Sequence, residues 1–207
     1  TRAMEMVAAS RLKRVESRVL ASRAYTDKMH QILSHLVSSS SLETAHPCFA
    51  ERAHEIPVIK IILITADKGL CGAYNNNIIQ KVVRFAKEHA DKTIRLVHIG
   101  KKGNLYFSKA GYSIEKYFPE NVEKFGYSQV KTLASQLIDG YEAGEFGHLY
   151  VFFTKFHTVM QSFPSHIQLL PVEKDAFETK EKLHREYIFE PSADQIIEQL
   201  FPKYIES

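Results

Sequence analysis

From Arg2 to about Val37 the chain has neither glycine nor proline, and it consists mainly of Ala, Arg, Met, Leu, Glu, Ser and Val. A helix accepts these residues at little cost. Alternating steps of four and three residues pick out Ala8, Leu12, Val15, Val19, Ser22, Thr26, Met29, Leu33 and Leu36, all apolar except the small Ser22 and Thr26. So narrow a stripe over so many turns predicts a coiled-coil seam, since a helix lying on a globular core carries a wider apolar face. At about 1.5 Å per residue the helix would run roughly 54 Å, more than the width of a domain of this size. It must project beyond its own core, and its seam requires a partner.

The far end of the chain offers the start of one. Phe189-Glu190-Pro191 leads into Ser192-Ala193-Asp194-Gln195, a capping-box pattern in which Ser192 and Gln195 satisfy each other's backbone N–H groups. Ile196, Ile197, Leu200 and Phe201 then form an apolar face, and Pro202 predicts a kink or restart. The sequence opens at Thr1 inside one helical pattern and closes at Ser207 inside another, so a fragment is expected.

Charge is concentrated on the first helix. Residues 1–24 hold Arg2, Arg11, Lys13, Arg14, Arg18 and Arg23 against Glu5 and Glu16, a net +4, whereas the whole chain nets +3 and the remainder therefore −1. These cations are spread around the helix and have no aromatic residues among them, which argues against a nucleic-acid stripe and leaves a solvated face or an encircling acidic partner. With 44% hydrophobic residues, 207 residues can bury a core and are not a disordered chain. Cys48 and Cys71 are the only thiols, which excludes a disulfide scaffold and suits a reducing compartment. No apolar run approaches the ~20 residues of a membrane-spanning helix and no signal-peptide pattern opens the chain, so direct membrane insertion is not expected.

The organisation expected is a coiled-coil helix over 1–40, a connector over 41–57 punctuated by Pro47 and Pro57, an α/β domain over 58–190, and the start of a second helix over 191–207. Val58–Ile64 is nearly all apolar and β-branched, the pattern of a strand buried on both faces. A loop from Thr65 to Tyr74 then opens a helix near Asn75 to Asn77, with Ile78, Ile79, Val82, Val83 and Ala86 on one face. Ile94–Ile99 reads as a strand, Lys102–Ala110 and Ser128–Tyr141 as helices, and Leu149–Phe153 as a third strand. Ile167–Leu170 follows too closely for a crossover helix and should pair antiparallel with that strand. Alternation of strand and helix predicts an α/β, Rossmann-like, mostly parallel sheet.

Such folds bind ligands at a strand–loop–helix like the one at Ile64–Ile79. The loop Asp67-Lys68-Gly69-Leu70-Cys71-Gly72-Ala73-Tyr74-Asn75 matches neither G-x-G-x-x-G nor G-x-x-x-x-G-K-[ST], and no lysine follows Gly72. Its glycines are read as a tight turn and a close helix–sheet approach, and Asp67 and Lys68 as a local pair. Cys71 precedes a helix N-terminus, yet no His can be assigned to it, and a small buried thiol is expected. His30 and His35 are misplaced for an i, i+4 metal pair, while His98, His148, His157 and His166 belong to separate strands with nothing to make them converge. Asp139, Glu142 and Glu145 end a helix among glycines and read as a solvated corner. No catalytic, cofactor or metal constellation emerges.

Two segments nevertheless carry a resemblance. Thr1-Arg2-Ala3-Met4-Glu5-Met6-Val7-Ala8-Ala9-Ser10-Arg11-Leu12-Lys13 and Asp67 to Asn75 resemble the gamma subunit family of the F-type ATP synthase, in its bacterial wording. Gln168-Leu169-Leu170-Pro171, Tyr187-Ile188-Phe189-Glu190-Pro191 and Leu200-Phe201-Pro202-Lys203-Tyr204-Ile205-Glu206-Ser207 extend the match along the chain. It departs at Ala66, where the family commonly has Ser or Thr, and at Lys68, often Arg.

The resemblance implies a central-stalk rotor subunit that couples proton-driven rotation to conformational change in the catalytic subunits and is not itself an enzyme. It further implies an antiparallel coiled coil of the terminal helices inside the ring of catalytic and non-catalytic subunits, with the first turns and most of the C-terminal helix absent here. Arg2, Met4, Arg11, Lys13 and Arg14 would approach acidic loops of the catalytic subunits. Asp67, Lys68, Gly69, Cys71, Gly72 and Asn75 would form a structural loop. The implied partners are the head subunits, the epsilon subunit and the membrane c-ring, at the cytoplasmic face of a bacterial plasma membrane, with no nucleic acid and no cofactor. Two alternatives stay open on the residues alone: a nucleotide-binding α/β enzyme using Gly69–Asn75, and a nucleic-acid-binding module using the basic helix.

Overall fold

The computed structural model describes residues 2–39, 48, 56–119, 126–158, 161–172, 200 and 202–205. The chain divides into two compact units, residues 1–46 with 174–207, and residues 47–173.

In the first unit α1 (Arg2–Ser39) is a continuous helix of 38 residues, about 57 Å long at helical rise. Its seam changes character along its length: Leu12 and Val15 are 39% and 54% exposed, whereas Met29 and Leu33 are 6% and 0% exposed. Met6, Val7, Leu20 and Tyr25 are also exposed. Serines within the helix return their hydroxyls to its own carbonyls, Ser17 to Lys13 at 2.9 Å and Ser34 to Gln31 at 2.8 Å, so they do not interrupt it. Residues 202–205 are helical, but the capping box at Ser192–Gln195 and the boundary at 190 lie outside the described residues.

The second unit is built on β1 (Val58–Ile64), α2 (Tyr74–Glu88), β2 (Thr93–Ile99), α3 (Lys101–Lys109), β3 (Ser113–Phe118), α4 (Tyr127–Glu142), β4 (His148–Thr158) and β5 (Gln161–Leu170). The sheet runs β3-β2-β1-β4-β5. All neighbours are parallel except β4 and β5, the antiparallel pair expected from their short connection. β1 is central, which is why it is apolar: Ile59, Ile61 and Leu63 are buried on one face with Ile78, Ile79, Val82 and Phe85 of α2, Phe107 of α3 and Phe152 of β4. The N-terminus of α4 is closed by Gln129, whose Oε1 accepts the Gly126 N–H at 2.6 Å.

Two expectations need correction. β3 was absent from the sequence reading, so Leu149–Phe153 lies in the fourth strand and not the third. Ser113-Ile114-Glu115-Lys116-Tyr117-Phe118 lacks alternation because its register with β2 slips between Leu96 and Val97, a β-bulge. β4 and β5 are also longer than their apolar runs. Among the described residues, His148–Phe152 pairs with β1, and beyond it β4 pairs with β5, as a ribbon that need not be apolar on both faces.

Candidate functional site

The crevice of a doubly wound sheet lies at the carboxyl ends of the strands, where the chain direction of winding reverses. Here β1 sits between β2 and β4, so the loop following β1, Thr65–Ala73, occupies that position. A ligand phosphate would need free backbone N–H groups at a helix N-terminus. The first N–H groups of α3 are already used by this loop: Lys101 donates to Asp67 Oδ1 at 3.0 Å, Lys102 to the Ala66 carbonyl at 3.1 Å, and Gly103 to Thr65 Oγ1 at 2.9 Å. Asp67 thus stands where an anion would sit. Charge-assisted bonds of this kind favour the negative end of the loop at the positive helix terminus.

Close backbone approach is made by different glycines from those expected. Gly100 has φ +100, and a Cβ there would fall 2.0 Å from the Thr65 carbonyl oxygen; one on Gly103 would lie 3.0 Å from Leu63 Cδ2. Gly72 has φ +59 with nothing within 4 Å, so it serves only the turn. Leu70, φ +62, is the one non-glycine residue with positive φ among the described residues, and it projects fully into solvent. Asn75 ties the loop to its start: its Oδ1 accepts the Ala66 N–H at 2.9 Å and its Nδ2 donates to Cys71 Sγ at 3.1 Å.

Cys71 is exposed, correcting the expectation of a buried thiol. The buried one is Cys48, whose pKa is pushed up to about 12 by burial and by the nearby Glu142 carboxylate, so it stays protonated and unreactive. The two were exchangeable in sequence because a single thiol beside a turn carries no burial signal of its own.

The histidines behave as packed aromatics. His98 is fully buried and stacks on Phe107 at 5.5 Å, and burial lowers its pKa to about 4, so it is neutral near pH 7. His148 and His166 were expected to stay apart, yet both meet the Tyr150 ring at 6.1 Å, because β4 and β5 are paired neighbours. His166 is also lowered, by burial and then by Lys81. No group of three or more His, Cys, Asp or Glu able to hold a metal occurs among the described residues. Asp139, Glu142 and Glu145 are exposed as expected, but Glu145 comes within 3.9 Å of Lys60 Nζ. Lys60 was missed; the one charged residue in an otherwise apolar β1 was its available signal.

On α1, Arg2, Lys13 and Arg14 are exposed. Met4 and Arg11 lie on the same helix, their side chains outside the described residues. At about 100° per residue Arg2 and Lys13 share a side while Arg14 is roughly 100° away, so the cations face several directions.

The sequence model of the ATP synthase family matches residues 1–207. The ATP synthase gamma chain of Desulforamulus reducens is 37% identical over 207 residues, covering 100% of this chain and 71% of the relative. That of Nitrosococcus oceani is 34% identical over 211 residues, covering 100% and 72%. Among solved structures, the central stalk and c-ring of the Tetrahymena thermophila mitochondrial ATP synthase includes a chain with TM-score 0.62 at 21% identity, covering 99% of this chain and 87% of that one. At that identity it speaks for the fold, a mostly parallel α/β sheet with long helices. With a family match from end to end and curated relatives above the level at which homology is in question, the chain belongs to the ATP synthase gamma chain family.

Proposed function

We propose that this chain is the central-stalk rotor subunit of an F-type ATP synthase, coupling proton-driven rotation to conformational change in the catalytic subunits. The observation that carries the reading is α1, a helix about 57 Å long whose apolar seam is buried at Met29 and Leu33 and uncovered at Leu12 and Val15. A shaft needs this: rigid helix, a seam for a second helix, and a surface of dispersed cations to meet a ring of partners from several sides. Arg2, Met4, Arg11, Lys13 and Arg14 are the residues proposed to approach acidic loops of the catalytic subunits. A shaft acts on each catalytic site only through contacts that differ between that site's states.

The subunit is read as non-catalytic because the crevice's anion-binding groups are already filled by Thr65, Ala66 and Asp67. The loop is then a structural latch between β1 and α3. The proposed partners are the catalytic and non-catalytic head subunits, the epsilon subunit and the c-ring. The proposed location is the cytoplasmic face of the bacterial plasma membrane, and no described helix is long and apolar enough to cross a membrane.

The test uses the cysteines. A maleimide-linked gold particle should attach at exposed Cys71 and spare buried Cys48, and the labelled full-length protein, reconstituted with head subunits from the same source, should rotate when ATP is added. Absence of rotation in an ATP-hydrolysing complex, or ATP turnover by the purified chain alone, overturns the proposal. Saturable ATP or NAD binding to the pure chain would favour the enzyme alternative, and steeply salt-dependent DNA binding the nucleic-acid one.

A further inference from the structure

The face of the sheet turned towards α4 carries a charge where a strand of this kind calls for an aliphatic residue. Lys60, between Ile59 and Ile61, is only 3% exposed, and its Nζ donates to Glu115 Oε1 of β3 at 2.9 Å. The same ammonium lies 4.4 Å from the centroid of the Phe146 ring. Glu115 reaches it because the β2–β3 register places Ile114 opposite Leu96 but Lys116 opposite Val97, leaving Glu115 as the extra residue of the bulge. Bulges re-aim side chains out of a strand's alternation and are common beside functional sites. As a result Glu115 and Lys116 both project towards α4, where Lys116 donates to Gln136 Oε1 at 2.8 Å.

Between this floor and α4 lies a cleft of about 440 Å3 with apolar walls at Val97, Leu133, Leu137 and Ala143. Both of its amines are engaged, Lys60 by Glu115 and, at 3.9 Å, by Glu145, and Lys116 by Gln136. Its carboxylates, Glu115, Asp139 and Glu145, outnumber them, and Asp139 and Glu145 stand exposed at the mouth. Glu145 is held over the wall because α4 presents Gly140 there, where a Cβ would lie 2.9 Å from its Oε2. An anion would be repelled by this mouth. A cation on an aliphatic stem would bury the stem and keep its charge beside the carboxylates. Among the described residues β3, which supplies Glu115 and Lys116, is an edge strand of the sheet, so an extended polypeptide can lie along it and insert a side chain. Arginine fits better than lysine, being less strongly hydrated and able to bond two carboxylates with one planar group.

We propose that this cleft receives an arginine side chain from a partner polypeptide lying along β3, with its guanidinium between Asp139 and Glu145. The test is titration of the isotopically labelled full chain with N-acetyl-arginine N-methylamide, followed by backbone amide chemical shifts. Saturable shifts are expected at Val97, Lys116, Gly140, Ala143 and Glu145. Binding should weaken about tenfold in the Asp139→Asn/Glu145→Gln double variant, as loss of exposed charge contacts implies. Both substitutions are on exposed residues, so unchanged shifts elsewhere will report that the fold is intact. The uncharged N-acetyl-norleucine N-methylamide should produce no saturable shift at these amides. Equal binding of the two probes, equal binding by the double variant, or tighter binding of free spermidine than of the arginine probe overturns the proposal.

Discussion

α1 and β1 are both apolar-patterned segments without a glycine or proline, and they meet opposite fates. β1 is enclosed on both faces and flanked by β2 and β4, so its Ile59, Ile61 and Leu63 are buried by the same chain. α1 leaves Leu12, Val15 and Leu20 exposed while burying Met29 and Leu33. The periodicity of an element therefore says which face seeks burial, and not whether the described chain supplies the cover. In β1 apolar area is invested in the stability of the domain; along the outer part of α1 it is left for an encounter.

The comparison can be broken by stability measurements on single variants. Ile61→Ala removes a fully buried side chain beneath α2 and should cost about 3–4 kcal/mol in urea unfolding of the α/β unit. Gly100→Ala should be of similar size, roughly 3 kcal/mol, since it combines positive φ with a collision on Thr65, whereas Gly72→Ala in open space should cost about 1 kcal/mol. Equal effects at the two glycines would show that the contact with Thr65 is not what holds the loop.

His98 sharpens the contrast through pH. Its folded pKa, about 4, lies below the ordinary 6.5, so between these values the unfolded chain binds more protons than the folded one. Stability is therefore retained above pH 6.5 and lost as pH falls towards 4, by roughly 3 kcal/mol over the window. The urea midpoint of His98→Leu should lose most of that slope, and an unchanged slope would remove His98 as its source. Asp67→Ala should cost about 1 kcal/mol, the worth of a helix-terminal carboxylate bond. The smallest effect is expected on α1: Leu12→Ala should change the unfolding of the isolated chain by less than about 0.5 kcal/mol. A loss comparable to Ile61→Ala would mean that its seam is already covered.

Much of this architecture was legible from the order of residues. The long helix, the parallel arrangement implied by β–α alternation, the burial of a nearly all-apolar β1 on both faces and the antiparallel β4–β5 pair all follow from periodicity and connection length. β3 was hidden because a bulge erased its alternation. The site was read less well. The sequence places Thr65, Asp67, Gly72 and Asn75 in one loop, but Gly100 and Gly103, which meet Thr65, lie more than thirty residues further along the chain. Nothing local marks Gly100 as the glycine pressed against Thr65.

The sequence by itself determined the periods, and hence which residues form a shaft and which a sheet, because amphipathic spacing is a property of neighbouring positions. It also determined the concentration of positive charge on α1. Only the tertiary structure decided which thiol is buried, which anion occupies the N-terminus of α3, and that Lys60 meets Glu115 across a bulge. Those outcomes depend on solvent exclusion and on distances between segments remote in the chain, quantities that exist only once the strands have found their order.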